Sequence, residues 1–223
     1  MYQALENNLI KTEEQWHAER TKHIGGSECA AVIGESPYMT NVELWELKTG
    51  KRKPVDISNK DYVQYGINAE DPIRQLFALD NPQYDVIYKP YDIRVSRKYP
   101  FLSASLDAEL IEKATGRKGT YEGKTVIVRN GEDLKKWLAD EPEIPMNYFC
   151  QCLHNEFCAE HQFAILNAKL MPIWYEGQSI LKSYKIERSE VQESENYLIS
   201  AEVKWWEDYV LTNTCPPLKL PQI

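Results

Sequence analysis

The stretch from Leu102 to Val128 constrains the fold more than any other part of the chain. Leu102, Ala104, Leu106, Ala108 and Leu110 alternate with Ser103, Ser105, Asp107 and Glu109. Strict alternation marks a strand with one apolar and one polar face. Thr115-Gly116-Arg117-Lys118-Gly119 reads as a turn and Thr120 to Val128 as a second strand, so the pair predicts a hairpin. Such a hairpin brings Asp107 towards Glu122. Glu122 and Lys124 lie two apart on one strand and share a face. Two carboxylates and a lysine then converge on one polar patch.

The flanking segments supply the remaining elements. Residues 1–19 read as a short helix or arm around Trp16. Ile24-Gly25-Gly26-Ser27 reads as a loop feeding a short helix, Cys29 to Ile33, with Ser27 as its N-cap. A helix over Val42 to Thr49 stops at Gly50. From Asp61 to Leu79 a longer helix carries Val63, Ile67, Glu70, Arg74 and Phe77 on one face. Glu70 is thus expected on the core-facing stripe, a costly place for a carboxylate without a partner. Asp85 to Val95 is strand-like, Leu134 to Leu138 a helical turn, and Met146 to Glu160 a helix. Phe163 to Leu170, Ile173 to Tyr175 and Ser183 to Glu187 suggest strands. A closing helix, Ser189 to Leu211, has Val191, Leu198 and Trp205 at heptad spacing. This order predicts an α/β fold, a mixed central sheet flanked by helices.

At 223 residues the chain is expected to form one domain over 1–223. Its helical part would run to about residue 80 and its core over about 81–212, before a short tail. With 43% hydrophobic and 27% charged residues, disorder is not expected. No apolar run approaches the ~20 residues of a membrane span, and the polar N-terminus has no signal peptide. Five cysteines then imply reduced thiols, so a cytoplasmic location is expected. The net charge of −8 argues against a bulk nucleic-acid coat, which would be basic. It leaves room for an enzyme that spends carboxylates on metal ions and keeps its bases in one groove.

Two close carboxylates repel unless a cation lies between them. A hard divalent ion with oxygen ligands resolves this, Mg²⁺ being the usual one, and the Gly123 carbonyl could add a ligand. Such an ion polarises a phosphoryl oxygen and activates water. Lys124 could position that water or stabilise developing charge, with Glu70 as a fourth member. The plainer alternative is a set of solvated strand edges, with Glu70 paired to Arg74. A second candidate site combines Gly25 and Gly26, which permit a tight turn, with Ser27 at a helix start and Arg20. Helix N-termini and guanidinium groups favour phosphate; the alternative is a capped helix and a surface arginine. Cys150, His154, Cys158 and His161 lie near one helical row, but a single helix cannot wrap four ligands around one ion, so packing is expected there. Lys51-Arg52-Lys53 reads as a solvated turn, and Glu109 and Glu112 as exposed.

Several blocks carry a family resemblance. They are Arg20-Thr-Lys-His-Ile-Gly-Gly-Ser27, Ser36-Pro37-Tyr38, Glu43 to Gly50, Gly66 to Arg74, Leu102 to Asp107, Glu122-Gly-Lys124, and Pro145 to Gln151. In this order the chain resembles the YqaJ-type viral recombinases, phage alkaline exonucleases similar to the lambda exonuclease. The resemblance implies a restriction-endonuclease-like fold with a PD-(D/E)xK site. It implies 5′→3′ degradation of double-stranded DNA ends with Mg²⁺, for which Mn²⁺ would substitute, leaving 3′ overhangs for recombination. Asp107 and Glu122 would bind the metal, Lys124 would be the catalytic lysine and Glu70 would order water. Arg20 and Ser27 would hold the 5′-terminal phosphate, and Gln151 would contact the site or the scissile phosphate. The implied partners are a phage single-strand annealing protein and sister subunits, which in some members form ring trimers, with no membrane involved. An endonuclease or structure-specific nuclease on the same core, and an inactive DNA-end-binding protein, are the competing functions. The chain departs from the family pattern at Gly123, usually bulky and apolar, and at Lys22-His23, often a glycine.

Overall fold

The computed structural model describes residues 12–175 and 177–220. The part of the expected N-terminal arm before residue 12, and the last residues of the expected tail, lie outside them.

Thr12 caps the first helix, α1 (Glu13–Arg20), by accepting from the Gln15 N–H at 3.2 Å. Next come β1 (Ile24–Gly25), α2 (Cys29–Ile33) and α3 (Asn41–Lys48). A reciprocal Thr40/Glu43 capping box starts α3. The longest helix, α4, spans Asp61–Asp80. The strands β2 (Tyr84–Ile87), β3 (Arg94–Val95), β4 (Leu102–Ala104), β5 (Ala108–Glu112) and β6 (Lys118–Val128) follow. After α5 (Gly131–Leu138) and α6 (Met146–Ala159), β7 (Phe163–Pro172) and β8 (Ile180–Glu187) complete the strands. The helix α7 (Gln192–Trp205) then widens into a π-helical turn, Trp206–Val210.

Two sheets result. A three-stranded sheet has the order β1-β4-β3, and a five-stranded one the order β2-β5-β6-β7-β8. The central pair β6–β7 is parallel, so the chain crosses back through α5 and α6; β5–β6 and β7–β8 are antiparallel. The expected mixed sheet flanked by helices is therefore present. One large apolar core joins α2, α3, α6 and α7 to β4, β6 and β7, and includes Leu44, Leu102, Leu153, Leu166 and Leu198.

Several element boundaries differ from expectation. The alternating run from Leu102 to Ile111 is not one strand: it breaks over Ser105-Leu106-Asp107, with β4 in one sheet and β5 in the other. The alternation of side chains persists through the break, but β4 is buried on both faces, Ser103 included. The stretch from Asp85 to Val95 likewise divides into β2 and β3. Ile173 to Tyr175 forms a turn after β7 rather than a strand. Ser27 does not cap α2; Glu28 occupies that position without a side-chain cap, and Ser27 is exposed. On α4 the buried residues are Ala69, Ile73, Arg74 and Phe77. Ile67 is 53% exposed, so Val63, Ile67 and Glu70 face a cleft rather than the core. Arg74 pairs with Asp71, not Glu70. Glu109 is buried, contrary to expectation, because Arg94, Lys118 and His161 all surround it.

Candidate active site

The break between β4 and β5 creates the site. The last paired residues of the β5–β6 ladder are Ala108 and Tyr121. Beyond that point β5 no longer covers β6, and Asp107 stands beside the next stretch of β6. The Gly123 N–H donates to Asp107 Oδ2 at 2.8 Å, fixing this carboxylate against the strand. The expected meeting of Asp107 with Glu122-Gly123-Lys124 is realised.

Glu122 is only 1% exposed. Its Oε1 accepts from Lys124 Nζ at 2.6 Å and from Gln151 Nε2 at 2.7 Å. Its Oε2 accepts from Asn155 Nδ2 at 3.0 Å. Burial and then the charge of Asp107 push the Glu122 carboxyl up to about 7, against the opposing pull of Lys124. Burial also disfavours the Lys124 ammonium, but Glu122 and Asp107 outweigh it and move its pKa above the usual lysine value. Lys124 lies 5.7 Å from the centre of the Tyr148 ring, whose hydroxyl meets that of Tyr38 at 3.5 Å. Glu70 stands on the cleft wall, where partial burial and then Asp107 raise its carboxyl.

The cleft in front of these groups has a volume of about 760 Å³. Arg20, Gly25, Gly26, Ser27, Glu70, Asp107, Glu122, Gly123, Lys124 and Gln151 all line it, so the residues of the two candidate sites, metal and phosphate, share one cleft. Arg20 stacks on Trp16, 4.3 Å from its ring centre. Among the described residues no carboxylate lies within ion-pair distance of Arg20. Burial lowers its pKa, while Glu28, Glu122 and Asp107 act at longer range in the other direction. A half-buried guanidinium without an ion-pair partner is suited to an incoming anion.

The helix-terminus argument for this anion does not hold. The helix α2 is five residues long, and Glu28 stands at its start. Glu28 Oε2 takes the Gly25 N–H at 2.9 Å, and its Oε1 pairs with Lys48 Nζ at 2.9 Å. The Arg20 guanidinium and the exposed Ser27 hydroxyl are among the donors left on this side.

Gln151 is placed on Glu122, as one of two amides holding that carboxylate. Asn155 is the other, and the sequence reading missed it. The signal was present: Tyr148, Gln151 and Asn155 recur at spacings of three and four, a polar stripe on a helix otherwise buried over Cys152–Glu156. The Cys/His row on that helix is part of the core. His154 Nδ1 meets Glu202 Oε1 at 2.9 Å, and its Nε2 meets the Ser103 carbonyl at 3.0 Å. Cys29, His154 and Glu202 do come together from three helices. Both ring nitrogens are already engaged, and Cys29 Sγ donates to the Gly26 carbonyl at 3.1 Å, while the second oxygen of Glu202 is buried without a hydrogen-bond partner. His161 likewise bonds Thr120 and Glu109.

The donor set fits a hard cation. Asp107, Glu122 and the Gly123 carbonyl offer only oxygen, and the charge of Asp107 raises the proton affinity of Glu122 at close range, which a cation between them would relieve. A side chain at Gly123 would meet Tyr121 Cε1 at 3.4 Å and Asp107 Oδ2 at 3.6 Å, ordinary contacts. Crowding therefore does not explain the glycine.

Residues 15–162 match the YqaJ-like viral recombinase domain family. The chain belongs to that family. A curated relative, the uncharacterized protein YqaJ of Bacillus subtilis (strain 168), is 28% identical over 221 residues. The match covers 97% of this chain but 62% of the relative, so the chain spans less than two thirds of that protein's length. Among solved structures, the alkaline exonuclease LHK-Exo from Laribacter hongkongensis superposes with a TM-score of 0.62 at 16% identity, covering 90% of this chain and 95% of that one. A phage-related exonuclease from Haemophilus somnus 129PT gives 0.56 at 12% identity, covering 86% of this chain and 96% of the other. The YqaJ-like domain thus shares the fold of phage-type exonucleases, and its cleft opens beside the Asp107/Glu122/Lys124 cluster.

Proposed function

We propose that this chain is a Mg²⁺-dependent 5′→3′ exonuclease on double-stranded DNA, leaving 3′ overhangs for phage-type recombination. One observation carries the reading: Arg20, which has no ion pair among the described residues, lines the same cleft as a buried Glu122 clamped by Lys124 beside Asp107. The YqaJ family membership and the exonuclease fold support it. Asp107, Glu122 and the Gly123 carbonyl would hold the cation, with Mn²⁺ as a substitute. Bound there, the cation supplies Lewis acidity to a phosphoryl oxygen and to the attacking water. Lys124 holds its proton throughout and offers it as a charge-assisted donor to the phosphoryl oxygen as negative charge builds. Glu70 accepts a hydrogen bond from the water and orients it. Arg20 and Ser27 hold a 5′-terminal phosphate, which carries more charge than an internal diester, and so distinguish an end from a middle. The corresponding partners are DNA ends in a host cytoplasm, a single-strand annealing protein and sister subunits.

The test is a nuclease assay of the wild type and Lys124→Ala on linear duplexes with 5′-phosphate or 5′-hydroxyl ends. Covalently closed circles serve as control, each substrate with Mg²⁺ or chelator. The expected result is Mg²⁺-dependent loss of linear DNA only, faster with 5′-phosphate. Lys124→Ala should slow it by about 10²–10³-fold. Cutting of circles would reassign the chain to the endonucleases. DNA binding without turnover would make it an end-binding protein.

A further inference from the structure

Asn155 has two functions in one side chain. Its Nδ2 donates to Glu122 Oε2 at 3.0 Å. Its Oδ1 is buried and has no hydrogen-bond partner. That oxygen instead lies against the backbone of Gly26. A Cβ at Gly26 would collide with Asn155 Oδ1, reach Asn155 Cγ at 3.0 Å and come within 3.1 Å of Gln151 Cγ. The two amides that hold Glu122 are therefore the same two that Gly26 packs on. A buried, unbonded carbonyl oxygen costs free energy, so this packing is maintained against a penalty.

We infer that Asn155 is a positioning residue that couples the Gly25–Gly26 loop to Glu122. The loop is continuous with Ser27, which with Arg20 would receive the terminal phosphate, and Glu122 belongs to the reacting centre; the inference rests on that reading of the cleft. The loop backbone, Asn155 and Glu122 then move as one body. The distance from the bound chain end to the bond being cut is fixed by packing rather than by a flexible side chain. Gly26 is glycine because any Cβ would drive Asn155 off the carboxylate. Glu28 braces the loop from the other side through the Gly25 N–H.

A double-mutant cycle over Gly26→Ala and Asn155→Ala tests this. Each single change should lower kcat on 5′-phosphorylated duplex about tenfold or more, with KM for ends little changed. Each should also bring the rates on 5′-phosphate and 5′-hydroxyl ends towards equality, which a change acting only on stability would not do. The double variant should be little slower than Asn155→Ala alone, because the alanine removes the two atoms that a Cβ at residue 26 would strike hardest, leaving only the 3.1 Å approach to Gln151 Cγ. Additive losses, or an unchanged end preference, would overturn the inference. Calorimetric Mn²⁺ binding to the same four proteins, with circular dichroism to establish folding, gives a readout independent of hydrolysis. Weakened Mn²⁺ binding with the same non-additivity is expected. If the wild type binds Mn²⁺ but cuts nothing, the exonuclease reading fails and the Mn²⁺ cycle alone decides the coupling. No Mn²⁺ binding by the wild type, or additive losses of it, would overturn the coupling as well.

Discussion

At the scale of single residues, Glu156 makes the sharpest demand on the fold. It is fully buried on α6, and neither carboxylate oxygen has a hydrogen-bond partner. Burial, and then the neighbouring charge of Glu195, raise its carboxyl to about 8 from the ordinary 4.5; Arg188 opposes and Glu187 adds to the shift. Below about 8 the folded chain therefore holds a proton there that the unfolded chain releases near 4.5. Where the native state binds the extra proton, stability falls as pH rises. The loss is about 1.4 kcal/mol per pH unit across that window and levels off above it. Glu156→Gln keeps the shape and removes the titration. Urea unfolding at a series of pH values should show the variant gaining on the wild type from near pH 5 to near pH 8. A difference between them that does not vary with pH would refute a neutral Glu156. Nothing in the sequence singles this residue out, because its burial comes from the crossing of α6 with its neighbours. Asp107, Glu122 and Lys124 were legible because strand alternation is local. The clamp on Glu122 was only half legible, since Gln151 lay within a resembling block and Asn155 just beyond it.

At the scale of elements, β6 is the spine of the molecule, and its entry is crowded. Gly119 pairs with Phe163 across the parallel β6–β7 ladder. A Cβ there would overlap the Phe163 ring, which is completely buried and cannot retreat. Gly119→Ala should therefore cost about 1–3 kcal/mol through overpacking. Gly131 opens α5 with nothing near its would-be Cβ. Gly131→Ala should stabilise by about 0.4–1 kcal/mol through the unfolded chain alone. Denaturant midpoints for the two variants should move in opposite directions, and equal shifts would refute the packing argument at Gly119. The helices were the most legible elements, since caps and stop signals sit within a few residues of the ends they define. The split of the 102–111 run was not legible. Its side-chain period is unbroken in the sequence, and only the pairing partners, β1 and β3 for β4 but β2 and β6 for β5, reveal two sheets. That split is what leaves Asp107 beside β6 at the mouth of the cleft. The feature that makes the site is thus the one that alternation conceals.

At the scale of the whole molecule, a net charge of −8 must be reconciled with a polyanionic substrate. Much of the basic charge is already spent. Arg52 pairs with Glu46, Arg94 with Asp92 and Glu109, Arg117 with Glu187, Arg188 with Glu195, and Lys48 with Glu28. Among the described residues Arg20 and Lys89 are in no ion pair, and both line the cleft. Phosphate binding in the cleft should accordingly rest on few side-chain cations, Arg20 and Lys89 among them, and on Lys124. Each phosphate contact contributes about 0.9 to the slope of log affinity against log salt. Arg20→Ala should reduce that slope by about 1 and weaken binding similarly for all sequences, since phosphate carries no sequence information. The effect should be larger on 5′-phosphorylated than on 5′-hydroxyl duplexes, because the terminal group carries the extra charge. Arg52→Ala, on a loop whose guanidinium already serves Glu46 and Glu43, should leave the slope unchanged. Titrations in chelator, where no hydrolysis is expected, isolate binding from turnover. An Arg20→Ala slope equal to that of the wild type would mean that this guanidinium never meets phosphate. The selectivity for chain ends would then have to come from Ser27, from Lys89 and from the shape of the cleft.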